Sequence, residues 1–162
     1  MIEIKNIYKK FGKLEVLNNI NLSFKKGECI ALIGPNGCGK TTLIKSILGM
    51  VIPTKGDILF DQKSILKEFK YRENIGYMPQ IGRYPDYMTV GQIIEMIKKI
   101  RNSEQVLDED LIKSFELEKI VDKQMRTLSG GTTQKVSATL AFLFNPEVLI
   151  LDEPTAGLDP LA

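Results

Sequence analysis

The spacing of apolar and polar residues changes several times along the chain, and each change predicts a different element. Apolar and polar positions alternate in residues 2–7 and 18–24, which predicts two amphipathic strands with a turn region over residues 9–16 between them. Residues 29–34 and 147–153 are instead nearly continuous apolar runs, as expected for strands buried on both faces, with Cys29 inside the first. Residues 57–61 and 74–80 predict two shorter strands.

Helical spacing occupies the stretches between these strands. Residues 41–50 place Leu43, Ile47 and Leu48 on one face, with Gly49 as a plausible C-terminal cap. Residues 90–101 and 108–117 predict two more helices, and a fourth begins at Ser129 and runs to Asn145. Strands that alternate with helices in this way predict an α/β fold with a mainly parallel core sheet.

Composition narrows the class of protein without identifying it. The 162 residues are 43% hydrophobic and 26% charged, as in soluble globular domains, and no apolar run approaches the length of a membrane span. The formal net charge of +2 is too small to favour a nucleic-acid partner. Two cysteines form no disulfide framework, so the cytosol is the expected compartment. The chain contains no histidine.

A glycine-rich loop, GPNGCGKT, lies between the apolar run 29–34 and the helix that follows. It fits the phosphate-loop pattern G-x-x-x-x-G-K-[ST] in the strand–loop–helix context that this pattern requires. Glycines bring backbone N–H groups close to an anion, and the helix directs its positive end to the same place. Lysine adds a charge for the β- and γ-phosphates, and threonine supplies a hydroxyl for Mg²⁺. The predicted ATP-binding residues here are Gly34, Pro35, Asn36, Gly37, Cys38, Gly39, Lys40, Thr41 and Thr42.

Two carboxylates end the second apolar run. In phosphate-loop NTPases a carboxylate at such a strand end holds Mg²⁺, which is the role predicted for Asp152. The adjacent Glu153 suits activation of an attacking water. The sequence LSGG, residues 128–131, opens the last helix with Ser129 as a possible cap and two bare glycine N–H groups, a second anion cradle.

The complete set of motifs resembles the nucleotide-binding domain of ABC transporters over the whole chain. The elements YKKFG, GPNGCGKTT, YMPQ, LSGG, LILDEP and AGLD occur in that family's order. The resemblance implies a RecA-like phosphate-loop core with an N-terminal antiparallel β-subdomain and a small α-helical subdomain. It divides the chain into residues 1–80 (ATP-binding core), 81–146 (helical subdomain) and 147–162 (acidic strand and coupling loop). The compact helical part is similar to exporter-like and ABC-2-type cassettes.

The resemblance also implies roles for individual residues. Phe11, with Tyr8 as a weaker candidate, stands where the family stacks an aromatic on adenine. Gln80 stands where the family senses Mg²⁺ and the attacking water. The implied metal ligands are therefore Thr41, Gln80 and Asp152. The implied catalytic residues are Lys40, Gln80 and Glu153. Ser129, Gly130 and Gly131 stand where the family contacts ATP held by an opposing subunit, and Asp159 where it couples the two sites. Thr132 and Thr133 depart from the long polar residue usual after the two glycines.

By the same resemblance, the implied cofactors are ATP and Mg²⁺. The implied partners are a second ABC ATPase domain and transmembrane permease subunits, which would hold the chain at the cytoplasmic face of the membrane. ATP would bring two cassettes together, and hydrolysis would separate them. Two alternatives remain open: a soluble ABC ATPase outside transport, and a nucleotide-binding fragment with little hydrolysis.

The family carries a switch histidine after the Asp–Glu pair, and this chain has none. In sheets of this type, the strand after the acidic strand lies between that strand and the phosphate-loop strand. The resemblance therefore implies a longer natural product, or a chain that is unstable and hydrolyses ATP poorly by itself.

Overall fold

The computed structural model describes residues 1–66, 68–101 and 106–155. The chain divides into two compact units, Met1–Arg72 and Glu73–Ala162. No helix in the described ranges is both long enough and apolar enough to cross a bilayer. The strands are β1 (Ile2–Phe11), β2 (Leu14–Phe24), β3 (Lys55–Phe60), β4 (Lys63–Ser64), β5 (Ile75–Met78) and β6 (Val148–Leu151). The α-helices are α1 (Lys40–Ile47), α2 (Val90–Arg101), α3 (Asp110–Ser114) and α4 (Gly130–Phe142), and short 3-10 helices span Lys70–Asn74, Leu117–Ile120 and Met125–Thr127.

The first unit contains an antiparallel sheet in the order β2-β1-β3-β4. The turn lies inside the predicted region of residues 9–16 but is only two residues long, because β1 and β2 continue to a tight hairpin in which Phe11 pairs with Leu14. Gly12 supplies the positive φ of 59° that this two-residue connection needs. The extra strand length carries Phe11 and Leu14 out to an exposed tip, where they bury little surface.

An asparagine cluster interrupts the alternation of β1. Asn6 has a φ of 50°, and the register with β2 shifts between Ile4 and Ile7. The Asn6 backbone N–H donates to Asn21 Oδ1 at 2.8 Å, and its side-chain amide donates to Asn19 Oδ1 at 3.0 Å. This bulge returns Ile7 to the buried face, so that Ile2, Ile4 and Ile7 all reach the core.

Helix α1 forms as predicted and buries Leu43, Ile44 and Ile47. It ends at Ile47 with Leu48 as its C-cap, and Gly49 follows with a φ of 66°, which confirms the predicted glycine stop. Two side chains then donate hydrogen bonds to backbone carbonyls at this end of the helix. The Tyr71 hydroxyl donates to Ile47 O at 3.0 Å, and Arg72 Nη2 donates to Gly49 O at 3.1 Å.

The predicted buried strand over residues 29–34 is absent. Ile30, Leu32 and Ile33 are 52%, 45% and 90% exposed, and Cys29, predicted to be buried, is exposed as well. An apolar run becomes a strand only when a neighbouring strand satisfies its backbone groups. Within the described residues no strand pairs with this run.

The second unit has a parallel pair, β5 and β6, in register from Ile75 opposite Val148 to Met78 opposite Leu151. β6 is a strand as predicted, but it is only half-buried, because its one described neighbour is β5. The unit's core lies under α2 and α4, where Val90, Ile93, Val136 and Leu143 are fully buried. The predicted helices are confirmed, although Ile100 points into solvent and α4 ends at Phe142 rather than Asn145.

Arg101 ties the end of α2 to the start of β5. Its guanidinium donates to Glu73 O at 2.8 Å and to Ile75 O at 3.0 Å, and it lies 4.8 Å from the centre of the Phe144 ring. Burial lowers the pKa of Arg101, while the nearby Glu73 carboxylate raises it. The arginine thereby provides hydrogen-bond donors for two backbone carbonyls at the start of β5.

Gly76 fixes the approach of α4 to β5, and its replacement by alanine tests this packing. A Cβ at this position would lie 2.0 Å from Ala141 O and 2.8 Å from Pro146 Cγ, so the helix must move. We expect Gly76→Ala to lower the free energy of unfolding by about 1–3 kcal/mol in a denaturant titration. Gly130→Ala, where a Cβ would meet nothing within 4 Å, serves as the control. Equal unfolding midpoints for both variants would contradict this packing.

Candidate functional site

The phosphate loop lies in the first unit between the exposed run 29–33 and α1. Gly37 and Gly39 have φ values of 79° and 100°, which side chains rarely tolerate. A Cβ at Gly39 would also lie 2.9 Å from Val16 O, so β2 approaches the loop where a glycine leaves room. The pattern therefore specifies an open backbone turn that leads into a helix N-terminus, which is suited to an anion.

Lys40 begins α1 and folds back over this loop. Its ammonium donates to Gly34 O at 2.7 Å and to Pro35 O at 3.0 Å. These two carbonyls hold the charge over the turn. Cys38 is exposed beside Gly34, where a Cβ would lie 2.8 Å from the cysteine Sγ. Lys40 and Cys38 thus both lie close to Gly34 at the start of the loop.

The second unit brings Gln80 and Glu153 together. Gln80 Nε2 donates to Glu153 Oε2 at 2.7 Å, although 73 positions separate them along the chain. Each residue follows one strand of the parallel pair, and the carboxyl ends of parallel strands meet at one edge of a sheet. Glu153 has a φ of 51°, a left-handed backbone value that is uncommon outside glycine.

Asp152 lies at the same sheet edge. Its backbone N–H donates to Met78 O at 2.9 Å and extends the ladder by one bond, and the residue is only 5% exposed. The pKa of Tyr77 is raised, first by burial and then by the negative charge of Asp152. No three His, Cys, Asp or Glu side chains converge on a metal in the part of the chain that the structure describes.

Ser129 caps α4, as predicted. Its Oγ accepts from Thr132 N at 3.2 Å and lies 2.9 Å from Thr132 Oγ1, and Thr133 Oγ1 donates to Ser129 O at 3.1 Å. Thr132 and Thr133 therefore both bind the cap, and these contacts give the departure from the family pattern a physical role. Gly130 and Gly131 form the first turn of the helix.

The cap predicts a measurable stability effect. Ser129→Ala leaves the Thr132 N–H without its side-chain acceptor, and we expect the free energy of unfolding to fall by about 1 kcal/mol. Ser129→Asp, which restores an acceptor at the helix N-terminus, should retain most of the stability. Thermal unfolding of both variants checks this. A Ser129→Ala midpoint equal to that of the unchanged protein would contradict the capping role.

The remaining predicted site residues make fewer of the contacts described above. Phe11 is 50% exposed at the hairpin tip, with Lys9 Nζ 4.9 Å from its ring centre. Tyr8 is half-buried in β1, and Thr41 and Thr42 are half-buried in α1. Asp159 lies outside the described residues. The phosphate loop belongs to the first unit, and Gln80, Asp152 and Glu153 belong to the second.

One contact was not predicted from the sequence. Gln134 Nε2 donates to Gln80 O at 2.9 Å, so a residue of α4 holds the backbone of the residue that contacts Glu153. Fifty-four positions separate the two glutamines, and neither periodicity nor a motif joins them.

Known proteins share this arrangement of elements. Residues 17–156 match the protein family described as ABC transporter. The chain belongs to the ABC transporter family. The zinc import ATP-binding protein ZnuC of Rickettsia conorii is 40% identical over 98% of this chain and 64% of its own length. The Nod factor export ATP-binding protein I of Burkholderia orbicola is 34% identical over 99% of this chain and 55% of its own length.

A solved ABC cassette shares the fold closely. A dimeric ATP-binding cassette in a post-hydrolysis state, bound to ADP and Pi, superposes with a TM-score of 0.85 at 28% identity, over 99% of this chain and 77% of that one. The predicted family and the α/β phosphate-loop NTPase fold are thereby confirmed. This ABC chain spans only 64% and 55% of the two relatives named above. Those relatives are named for import and for export, so the exporter-like subtype stays a prediction.

Proposed function

We propose that this chain is the ATP-binding and ATP-hydrolysing part of an ABC transporter subunit. The observation that carries the proposal is the 2.7 Å hydrogen bond between Gln80 Nε2 and Glu153 Oε2. A carboxylate suits proton abstraction from water, and an amide fixes where that carboxylate points. The phosphate loop, with Lys40 held over its carbonyls, supplies the anion-binding half of the same chemistry.

Each residue then has a chemical task. The backbone from Gly34 to Gly39, with Pro35, Asn36 and Cys38 between the glycines, cradles the ATP phosphates, and the Lys40 charge stabilises the β- and γ-phosphates. Glu153 accepts a proton from the water that attacks the γ-phosphorus. Gln80 holds that carboxylate and the water in line. Catalysis by this set is mainly positioning and electrostatic stabilisation of the phosphoryl transition state.

The residues proposed for Mg²⁺ are all oxygen donors, Thr41 in the first unit and Gln80 and Asp152 in the second. The Asp152 carboxylate, the Gln80 amide oxygen and the Thr41 hydroxyl are hard oxygen ligands, and Mg²⁺ usually completes its shell with water and phosphate oxygens. The ion supplies charge neutralisation for the phosphates when bound.

The proposed partners follow from the relatives. The cassette bound to ADP and Pi is a dimer, and we propose that this chain also pairs with a second ABC ATPase domain. Ser129, Gly130 and Gly131 would contact the partner's nucleotide, Asp159 would couple the two sites, and Phe11 would stack on adenine. Permease subunits would anchor the pair at the cytoplasmic face of the membrane.

Nucleotide-dependent dimerisation tests the proposed pairing with a second ABC ATPase domain. The Glu153→Gln variant keeps an amide oxygen for Gln80 to donate to, but cannot take a proton, so it should hold ATP between two cassettes. We expect this variant to sediment as a dimer with ATP and Mg²⁺ and as a monomer with ADP. A monomer under both conditions, at concentrations that saturate nucleotide binding, would contradict the proposal.

A further inference from the structure

Helix α4 grips the short loop that carries Gln80. The Gln80 loop, residues 80–84, follows β5, and both of its ends bond to α4. Gln134 Nε2 donates to Gln80 O at 2.9 Å, and the Tyr84 hydroxyl donates to Ser137 Oγ at 2.9 Å. Gln134 and Ser137 are three positions apart, so they lie on one face of the helix.

The Ser137 bond has a defined direction. Ser137 Oγ donates its own proton to Thr133 O at 3.0 Å, within α4, and so acts as acceptor toward Tyr84. Ser137 is 1% exposed. Burial raises the pKa of Tyr84, and the hydrogen bond to Ser137 lowers it by a smaller amount. The neutral tyrosine therefore persists as a donor across the working pH range.

The centre of the loop lies directly on the helix. A Cβ at Gly82 would be 2.3 Å from Ser137 Oγ and 2.8 Å from Tyr84 Cε2. Because Gly82 has no side chain, the loop backbone between the two hydrogen-bonded ends can lie directly against α4. The loop cannot shift along the helix without breaking at least one of these contacts.

We propose that Gln134, Ser137 and Tyr84 form a clamp that positions Gln80 against Glu153, an inference that rests on the proposed ATPase function. The clamp residues are positioning residues, because the contacts described above act through the Gln80 loop and its backbone. α4 also begins at Ser129–Gly131. By this proposal, the helix that Ser129 caps is also the helix that holds the Gln80 backbone.

Removal of single clamp contacts tests the proposal. Gln134→Leu keeps the side-chain bulk but removes the donor, and Tyr84→Phe removes only the hydroxyl. Each variant removes a side-chain hydrogen bond to or from the Gln80 loop, which should lower kcat for ATP hydrolysis about tenfold, with KM little changed. Lys135→Ala, an exposed neighbour on α4, is the matched control and should keep the original kcat.

A double variant separates positioning from general destabilisation. If Gln134 acts through Gln80, the pair Gln134→Leu with Gln80→Ala should hydrolyse ATP at the rate of Gln80→Ala alone. Multiplied losses would overturn the clamp. Thermal unfolding of each variant shows whether it remains folded at the assay temperature.

A nucleotide-free measurement keeps this test independent of the ATPase proposal. The side-chain amide signals of Gln80, assigned by their loss in Gln80→Ala, should shift in Glu153→Gln and also in Gln134→Leu and Tyr84→Phe. Signals unmoved by both clamp variants would overturn the clamp even if ATP is hydrolysed. Shifted signals in a protein that neither binds nor hydrolyses ATP would support the clamp and reject the ATPase proposal.

Discussion

Replacement of Glu153 by glutamine is expected to lower kcat for ATP hydrolysis about 10²- to 10⁴-fold, the range usual for loss of a general base. The amide oxygen can still accept from Gln80 Nε2, which donates to Glu153 at 2.7 Å, so the geometry of the sheet edge should survive. ATP affinity should be retained, because phosphate binding rests on the loop that precedes α1. Steady-state phosphate release and equilibrium nucleotide binding measure the two quantities separately.

The control for this variant is Glu118→Gln, which neutralises an exposed carboxylate in the second unit. Its kcat should equal that of the unchanged protein. A Glu153→Gln variant that hydrolyses ATP at more than a tenth of the original rate would mean that another group takes the proton from water.

Replacement of Lys40 by alanine should weaken ATP binding about 10- to 100-fold, as expected for loss of a charged hydrogen bond. The ammonium bonds Gly34 O at 2.7 Å and Pro35 O at 3.0 Å, so without it these carbonyls would face the bound phosphates with no cation between them. Titration of the protein with ATP and Mg²⁺, followed by heat or by fluorescence, gives the dissociation constant.

Lys45→Ala provides the matched comparison, because this exposed lysine lies in the last turn of the same helix. Removal of its charge changes the net charge equally but leaves the loop intact. If Lys45→Ala and Lys40→Ala weaken ATP binding to the same degree, the effect reflects general electrostatics and not the phosphate loop.

Local pattern predicted most of the elements, because the period of apolar residues reflects which face of an element is buried. The pattern of apolar residues gave wrong predictions where the backbone conformation depends on pairing with another strand. Residues 29–33 have the composition of a buried strand, yet none of the described strands pairs with them. The bulge at Asn6 depends on Asn19 and Asn21, whose role appears only after β1 and β2 pair.

The candidate site likewise contains parts that local sequence predicts and parts that depend on packing. Sequence motifs identified Gln80 and Glu153 individually, and parallel strand pairing explains why they meet across 73 positions. The Gln134 contact with Gln80 could not be predicted, because it depends on how α4 packs on β5, where Gly76 permits close approach to Ala141. Motifs thus name the residues proposed for the reaction, and packing decides which of them meet.

The central claim, that this chain binds ATP and hydrolyses it, is tested most directly by a single-turnover experiment. Protein in excess over γ-labelled ATP, with Mg²⁺, is quenched at intervals from seconds to hours, so that slow turnover is also detected. We predict that the bound ATP is converted to ADP and phosphate, and that it stays intact on Glu153→Gln over the same period. Saturable ATP binding with no phosphate release from the unchanged protein, or equal release from both proteins, would contradict the account.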